Sequence, residues 1–474
     1  MKIINTLTKQ KEDFTPVEPG KVRFYQCGPT VYWDQQIGNL RAYALADFIN
    51  RSLRYLDYEV KFVRNYTDVG HMSGDNEGDA DTGEDRMEKA AKRDSKTPEE
   101  VADFYIKRYE TDINKLNILT PDETPKATEF IKQQQEMVSE LLDKGFAYST
   151  PLAIYFDTTR ADNYTRLSGQ LMSFNKGGMG LGEVSDSEKK SHADFSLWFF
   201  KAGTHKNALQ TWGSPFTSEL VENGEGFPGW HIECSAMGKA LLGDTIDIKM
   251  GGIEHIPIHH TNEIAQSECC NAKEYVKYWV HNEHLLADGN KMGKTAGNAY
   301  LLSDLEDKNF KPLDLRYFFL QSHYRSKQNF TWDALKASST SLFKLKSKIA
   351  LMKDGGEINP EFKEKFIEKI SDDFNIPEAL AVVHEVLKSD LGNKDKKATI
   401  LDFDSVLGLK LDDKSHLVIE EVVMTPELES LLEKRLEARN NKDWETSDAI
   451  RDQLEELGFK VKDGNKGQEL SSLK

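Results

Sequence analysis

The sequence predicts an α/β protein: a doubly wound nucleotide-binding fold that is divided by an insertion and followed by helical domains. Residues 22–26 and 60–63 are strand-like runs that flank a Gly-Pro turn and a helix-patterned segment. Strand, tight turn, helix and strand open such a fold, whose ligands bind at the carboxyl ends of the strands. From about residue 333 the chain is charged and helix-patterned, with glycine-containing breaks.

Length and composition indicate a multidomain protein that is not exported. The 474 residues exceed what one hydrophobic core usually organises, so we expect more than one domain. The sequence lacks both an apolar run near the ~18 residues of a membrane helix and an apolar secretory segment after Met1. The four cysteines are too few for a disulfide scaffold in so long a chain. We therefore expect reduced thiols, a cytoplasmic location and no membrane partner.

The charge balance is acidic, because 62 Lys and Arg face 79 Asp and Glu, for a net charge of −17. This balance argues against a protein that coats nucleic acid in general. RNA binding through a local basic surface stays open, since phosphate contacts depend on local charge.

Local signals predict the elements that follow. Leu40, Ala44 and Phe48 recur at helical spacing after the first turn. Thr97-Pro98-Glu99-Glu100 predicts the capped start of a long helix. Residues 126–215 are interpreted as an insertion, and its glycine-rich turn at 176–182 as a loop without a phosphate role.

Near the end, residues 431–439 and 444–457 predict a helical hairpin with a turn at 440–442. Positive charge concentrates there, on Lys434, Arg435, Arg439, Lys442 and Arg451. From charge alone, an RNA-binding surface and an ordinary solvated helix face are equally consistent with this pattern.

Four motifs together carry a resemblance to a known family. They are CGPTVYWDQQIGN at 27–39, GWHIEC at 229–234, HHTNEIAQSE at 259–268 and KMGKT at 291–295. Through them the chain resembles, nearly end to end, the cysteinyl-tRNA synthetases, which are class I aminoacyl-tRNA synthetases. The resemblance implies a class I Rossmann-type catalytic domain with a connective insertion, followed by a helical bundle and a small C-terminal tRNA-binding module.

The resemblance also suggests where the domains begin and end. We predict the first half of the catalytic domain at 1–125, the connective insertion at 126–215, the second half at 216–285, a KMSKS-type lysine loop and stem-contact region at 286–332, the helical bundle at 333–415 and the anticodon-binding module at 416–474. The extreme end lacks a tryptophan that many members carry there.

The first nucleotide motif includes Gln36, Gly38 and Asn39. Gly38 lets backbone approach the nucleotide, and the start of a helix near Asn39 offers free N–H groups to phosphate. The resemblance implies that Gly38 and Asn39 bind ATP and that position 36 is catalytic. The family has histidine at that position, whereas Gln36 can donate a hydrogen bond but cannot become a cation.

The second nucleotide motif keeps both lysines of the family's Lys-Met-Ser-Lys-Ser loop, while Gly293 and Thr295 replace the two serines. The resemblance implies that Lys291 and Lys294 are catalytic, that Lys294 contacts ATP, and that Mg²⁺ accompanies the nucleotide. A flexible ammonium can follow phosphate charge into the transition state. Without the resemblance, an exposed basic turn would explain these residues.

Cys27, Cys234, His259 and Glu263 match the family's metal ligands, so the resemblance implies one Zn²⁺ per chain. His259 and Glu263 stand four apart and share a helix face, but Cys27 and Cys234 are remote in sequence. Taken alone, these residues could be buried thiols and a structural histidine. Zinc suits a thiol substrate, because it binds thiolate far better than a protonated hydroxyl.

Trp230 and Thr67 are the predicted substrate-binding residues, placed by the GWHIEC motif and by Tyr66-Thr67-Asp68. His231, His255 and His260 are candidates for contacts to the ligands or the substrate, with structural hydrogen bonding as the alternative. Cys269 and Cys270 match no role in the family.

The resemblance implies a cysteine–tRNA ligase that uses ATP, L-cysteine and tRNA(Cys), in a family that is mostly monomeric. One rival is a ligase that passes cysteinyl adenylate to an amino sugar, and such enzymes lack the C-terminal module. A second rival is a non-catalytic paralogue, suggested by Gln36. Retention of all four metal ligands and both loop lysines disfavours it.

Overall fold

The computed structural model describes residues 1–72, 84–169, 186, 188–293, 297–413, 424–457, 459–464 and 467–472. These residues divide into two compact units. The first comprises residues 1–342 and 352–411, and the second comprises residues 343–351 and 412–474.

The first unit begins with an antiparallel hairpin of β1 (Lys2–Asn5) and β2 (Gln10–Asp13). Then come β3 (Lys21–Gln26), α1 (Ile37–Tyr55) and β4 (Glu59–Arg64), which confirm the predicted strand, helix and strand. β3 and β4 pair in parallel with Phe24 opposite Phe62. The apolar face of α1 is buried, as its spacing predicts.

Two helices follow, α2 (Arg86–Asp94) and α3 (Pro98–Lys115). The predicted start of α3 is confirmed by a capping box. The Glu100 amide donates to Thr97 Oγ1 at 3.2 Å, and the Thr97 amide donates to Glu100 Oε2 at 2.9 Å.

The next segment contains a helix and a separate antiparallel sheet. The helix is α4 (Ile131–Asp143), and the strands are β5 (Ala147–Ser149), β6 (Ala153–Phe156), β7 (Phe195–Phe200) and β8 (Gly226–Pro228). Their order in the sheet follows the chain, and β7 is buried throughout. The predicted glycine-rich turn at 176–182 lies outside the described residues.

The chain then returns to the first sheet through α5 (Trp230–Leu242), β9 (Ile246–Gly252), α6 (His259–Asn271) and β10 (Val276–Asn282). The completed sheet is parallel, in the order β10, β9, β3, β4. Since the strands are parallel, the segments that follow their carboxyl ends meet at one edge, where doubly wound sheets bind ligands.

The rest of the first unit is mainly helical, apart from a three-stranded sheet in the order β12, β11, β13. Its elements are β11 (Leu285–Ala287), β12 (Asn290–Lys291), α7 (Leu302–Glu306), α8 (Pro312–Leu320), β13 (Gln328–Phe330), α9 (Trp332–Ala350), α10 (Pro360–Ser371), α11 (Ile376–Lys388) and α12 (Asn393–Leu407). The final residues of α9 belong to the second unit.

The second unit contains α13 (Pro426–Asn440) and α14 (Trp444–Glu456), which confirm the predicted helical hairpin. A hairpin of β14 (Phe459–Gly464) and β15 (Gly467–Ser472) follows, which the sequence analysis missed. A small core joins helices and strands, made of Leu428, Leu431, Ile450, Leu454 and Val461.

Within the described ranges, no helix is both long enough and apolar enough to cross a membrane.

Candidate active site

Three separate segments bring the four predicted metal ligands together. Cys27 directly follows β3, Cys234 lies on α5, and His259 and Glu263 lie on α6. Each contributes one donor atom, and the four atoms all lie within 4.8 Å of one another. This convergence is invisible in the spacing of the sequence.

The geometry within the ligand cluster suits a shared cation. His259 Nε2 lies 3.2 Å from Glu263 Oε1, as expected for side chains four apart on one helix. Cys27 Sγ lies 3.9 Å from the same carboxylate oxygen. Two sulfurs, one imidazole nitrogen and one carboxylate oxygen form a donor set of the kind that zinc binds.

Burial sets the protonation of these ligands. It lowers the pKa of His259 well below its usual value, which keeps the imidazole neutral, as a metal ligand must be. The hydrogen bond to Cys27, together with burial, raises the pKa of the Cys234 thiol well above its usual range. A bound cation would reverse that preference by stabilising the thiolate.

A second group of donors shares Cys27 with the ligand cluster. Cys27, His255 and His260 also bring one donor atom each within 4.8 Å of the others. Cys27 Sγ is 3.3 Å from His260 Nε2, and His260 Nδ1 is 2.7 Å from His281 Nε2. His260 therefore contacts a ligand directly, in agreement with its prediction as a neighbour of the site.

Lys249 and Tyr275 hold Glu263 from the side facing away from the other ligands. Lys249 Nζ donates to Glu263 Oε2, and the Tyr275 hydroxyl donates to the same oxygen at 3.0 Å. Burial alone would lower the pKa of Lys249, but the negative charges around it, with Glu263 the strongest, together raise that pKa well above its usual value. No sequence motif marks either residue, because Lys249 lies in β9 and Tyr275 lies just before β10, both outside the four motifs.

Trp230 closes one side of the ligand cluster. Its ring stacks on His259 at 4.1 Å and on His71 at 4.1 Å. His71 Nδ1 in turn lies 2.7 Å from Thr30 Oγ1, which ties the pocket to the loop after β3. His71 carries no sequence signal that could have identified it.

Thr67 lies on the neighbouring segment after β4. Its amide donates to the Pro29 carbonyl at 3.0 Å, and its carbonyl accepts from the Val31 amide at 3.1 Å. The Gly28 amide donates to Asn65 Oδ1 at 3.0 Å, and a Cβ at position 28 would lie 1.6 Å from the Asn65 carbonyl oxygen. Only glycine permits this approach, which places Thr67 beside the loop that carries Cys27.

The two nucleotide motifs are adjacent in space. Gln36 precedes the first residue of α1 and forms a β-bridge with Leu301, and the Ile37 amide donates to the Tyr300 carbonyl at 2.9 Å. A Cβ at Gly38 would lie 3.5 Å from Met292 Sδ of the second motif. Asn39 is exposed, and its Nδ2 donates to Gln35 Oε1 at 2.8 Å.

The base of the lysine loop is closed by hydrogen bonds. The Gly293 amide donates to Asn298 Oδ1 at 2.9 Å, and Asn298 Nδ2 donates to the Lys291 carbonyl at 3.3 Å. The Lys291 side chain is exposed at the end of β12. Lys294 and Thr295 lie outside the described residues.

In the second unit, the predicted basic residues fall into two groups. Arg435 is 2% exposed and donates through Nη1 and Nη2 to the carboxylate of Asp463, at 2.8 and 3.1 Å. It is therefore part of the unit's internal structure and not an open RNA contact. Lys434 and Lys442 are exposed, as is Trp444, whose ring lies 5.6 Å from the Arg439 guanidinium.

Family comparisons agree with this architecture. Residues 13–340 match the tRNA synthetases class I (C) catalytic domain, and residues 365–411 match the DALR domain. Residues 423–470 match the cysteinyl-tRNA ligase anticodon binding domain. The fold and the matched domains define a class I aminoacyl-tRNA synthetase.

Relatives along the whole chain narrow this class to one family. Cysteine–tRNA ligase 1 of Burkholderia lata is 38% identical over 474 residues, which cover 99% of this chain and 97% of the relative. The cysteine–tRNA ligase of Treponema denticola is 37% identical, with 98% of each chain covered. The chain belongs to the cysteine–tRNA ligase family of aminoacyl-tRNA ligases.

Solved structures support the fold alone, because their sequence identity is low. Mycobacterium tuberculosis methionyl-tRNA synthetase bound by methionyl-adenylate matches with a TM-score of 0.53 at 12% identity, over 82% of this chain and 90% of that one. A leucyl-tRNA synthetase complex from Agrobacterium radiobacter K84 matches with a TM-score of 0.57 at 11% identity, over 84% of both chains.

Proposed function

We propose that this chain selects L-cysteine through one bound Zn²⁺, activates it with ATP and Mg²⁺ to cysteinyl adenylate and pyrophosphate, and transfers it to the 3′ end of tRNA(Cys). The observation that carries the proposal is the ligand cluster of Cys27, Cys234, His259 and Glu263, which lies within the matched catalytic domain. We further propose that the protein acts in a reducing cytoplasm, which suits its free thiols, and that it is a monomer, as the resemblance implies.

Substrate choice depends on the ligand cluster. When bound there, Zn²⁺ supplies a Lewis-acid position that favours a thiolate over a hydroxyl. Shape alone separates close isosteres such as cysteine and serine by only about one to two orders of magnitude. Trp230 stacks on His71 and on His259, and its ring would limit the space for the bound amino acid. Thr67, on the segment after β4, is the second proposed contact to the substrate.

Adenylate formation places new charge on the α-phosphoryl oxygens, so the chain must supply preorganised donors there. Gly38 lies in the first turn of α1 and would present its backbone N–H to ATP, and Asn39 would contact the nucleotide through its exposed side chain. Gln36 would donate a hydrogen bond from a neutral side chain, at the position where the family that the motif resembles has histidine. Lys291 and Lys294 would neutralise phosphate charge from the adjoining loop.

We assign tRNA recognition to the proposed module at 416–474, with anticodon bases meeting the exposed side chains around Trp444. The proposed stem-contact region at 286–332 would lead the acceptor end to the adenylate. The catalytic halves at 1–125 and 216–285, the insertion at 126–215 and the helical bundle at 333–415 complete the proposed boundaries. The matched anticodon domain favours this assignment over the amino-sugar ligase.

Pyrophosphate exchange into ATP with a panel of amino acids tests the proposal. We expect exchange with L-cysteine, at most feeble exchange with L-serine, and about one zinc per chain by metal analysis. Equal rates with the two amino acids would contradict selection by a metal-bound thiolate. Absence of exchange with every amino acid would favour the non-catalytic paralogue.

A further inference from the structure

Lys249 is a charged residue on a strand that is buried along its whole length. The seven residues of β9 are all buried, and the side chains of Lys249 and Glu263 are both 0% exposed. An unpaired ammonium in such a place would be strongly destabilising. The residue that pairs with Lys249 therefore indicates what Lys249 does. That partner is a metal ligand of the proposed zinc centre.

The contacts of Lys249 leave its ammonium fully engaged. Its Nζ donates to Glu263 Oε2, lies 3.1 Å from the Tyr275 hydroxyl and lies 4.1 Å from the centre of the Tyr25 ring. The ring face is the negative end of its quadrupole and attracts a cation. Lys249 is thus fixed on three sides.

The two oxygens of Glu263 have different surroundings as a result. Oε2 accepts from Lys249 and from Tyr275. Oε1 faces the other ligands, at 3.2 Å from His259 Nε2 and 3.9 Å from Cys27 Sγ. One oxygen of the Glu263 carboxylate is therefore bonded to Lys249 and Tyr275, and the other lies toward the remaining proposed ligands.

We propose that Lys249 is a positioning residue of the metal centre, which holds Oε2 of Glu263, leaves Oε1 toward the other ligands and offsets the negative charge of the site. This inference rests on the proposed zinc centre. Two thiolates and one carboxylate carry three negative charges against the two positive charges of zinc, and a substrate thiolate would add another. The adjacent ammonium reduces that excess at the ligand that it also orients.

The test compares zinc affinity in the full-length protein, measured by chelator competition, for the wild type, Lys249→Met and Tyr275→Phe. Methionine is unbranched and only one heavy atom shorter than lysine, and it removes the charge. We expect about 10- to 100-fold weaker zinc binding for Lys249→Met, and a smaller loss for Tyr275→Phe, because the lysine contact remains. The visible spectrum of the Co²⁺-substituted protein should change in Lys249→Met, because the Glu263 ligand is no longer fixed.

Lys397→Met is the matched control. Lys397 is also nearly buried, with 5% of its side chain exposed, but it pairs with Asp354 at 2.5 Å and lies on α12. We expect this variant to lose stability and to keep its zinc affinity. A Lys249→Met protein that binds zinc as tightly as the wild type, with an unchanged Co²⁺ spectrum, would overturn the inference and leave the proposed function intact.

Two further outcomes are decisive. A wild-type protein that binds no zinc would overturn the zinc centre itself and this inference with it. If Lys249→Met does not fold, Tyr275→Phe decides: several-fold weaker zinc binding supports the inference, and unchanged zinc affinity together with an unchanged Co²⁺ spectrum overturns it.

Discussion

The ligand cluster of the first unit and the exposed lysines of the second unit use charge in opposite ways. Around Glu263, the charged side chains are buried, and each meets a partner at fixed geometry. On the helical hairpin of the second unit, the side chains of Lys434 and Lys442 are exposed. Buried charge in a fixed arrangement selects one small ligand, whereas exposed charge attracts a long polyanion and is weakened by salt.

Arg435 shows that the distinction depends on burial and not on residue type. It lies next to Lys434 in the sequence, yet it is buried against Asp463 and Gln468. A charge pattern on a helix therefore overestimates the surface that RNA can reach. The same reasoning separates Lys249 from the exposed Lys291, although both belong to the catalytic domain.

The largest effect should come from the ligand cluster. Cys234→Ser should lose zinc and reduce pyrophosphate exchange with cysteine by about three orders of magnitude, because serine does not replace a thiolate ligand and selection fails with it. Zinc content and exchange rates measure this. Cys269→Ser, which lies outside the cluster, is the control and should retain both; normal zinc content in Cys234→Ser would remove Cys234 from the ligand set.

Lys294→Ala tests whether a charge of the second nucleotide motif matters as much for activity as the buried charges of the ligand cluster. We expect adenylate formation about 100- to 1,000-fold slower with nearly unchanged cysteine affinity, because the ammonium is needed chiefly in the transition state. Single-turnover kinetics measures both quantities. Lys132→Ala, on the exposed surface of α4, should behave as the wild type. A normal rate in Lys294→Ala would assign the loop no catalytic charge.

The second unit offers a direct comparison of exposed and buried charge. Lys434→Ala with Lys442→Ala should weaken tRNA binding about tenfold and reduce the salt slope by about one to two, since phosphate contacts are lost. Arg435→Met should lower the stability of this unit by roughly 1–3 kcal/mol, because the bonds to Asp463 and Gln468 are lost. Salt-dependent binding and thermal unfolding distinguish the two. If the double lysine variant and Arg435→Met changed tRNA binding and thermal stability to the same extent, exposed and buried charge would not have separate roles in this unit.

Acid should affect the two units in different pH ranges. Burial lowers the pKa of His71 well below its usual value and that of His281 to about 3. Unfolded imidazoles bind protons below about pH 6.5 and these do not, so the first unit should lose ~1 kcal/mol per imidazole by pH 5.5. Pulse proteolysis with peptide mass spectrometry at pH 7.5 and 5.5 reports each unit separately.

The Asp463 carboxylate of the second unit affects stability in the opposite direction with pH. Arg435 lowers the pKa of Asp463, so this pair contributes stability above the unfolded pKa near 4 and loses it only in stronger acid. The second unit should therefore be unchanged between pH 7.5 and 5.5. A His281→Asn variant should show a shallower pH dependence in the first unit, and an unaltered dependence would exclude His281 as a source.

The smallest effect concerns Gln36. We expect Gln36→His to slow adenylate formation a few-fold, about 1 kcal/mol or less in activation energy, because the backbone at position 36 is fixed by its bridge to Leu301 and a site that works with glutamine should be arranged to suit that side chain. Stopped-flow measurement of activation is sensitive enough. A faster variant would mean that Gln36 is a compromised donor, and an unchanged rate would mean that position 36 does not act in this step.

Much of the fold could be predicted from the sequence, because its determinants are local. The alternation of strand, turn and helix up to β4, the capped start of α3 and the C-terminal helical hairpin are each set by neighbouring residues. The hairpin of β14 and β15 was missed, since its short strands carry weak apolar alternation and are stabilised by contacts with α13 and α14.

By itself, the sequence determined the family, the two nucleotide motifs and the identity of the four candidate ligands, because motif residues keep their order along the chain. Only the tertiary structure decided which side chains surround those ligands. Lys249, Tyr275 and His71 lie outside the motifs and reach the site only because their segments pack around α5 and α6, and Arg435 turns inward against Asp463. Burial and long-range contact arise from how elements pack, and no local pattern encodes them.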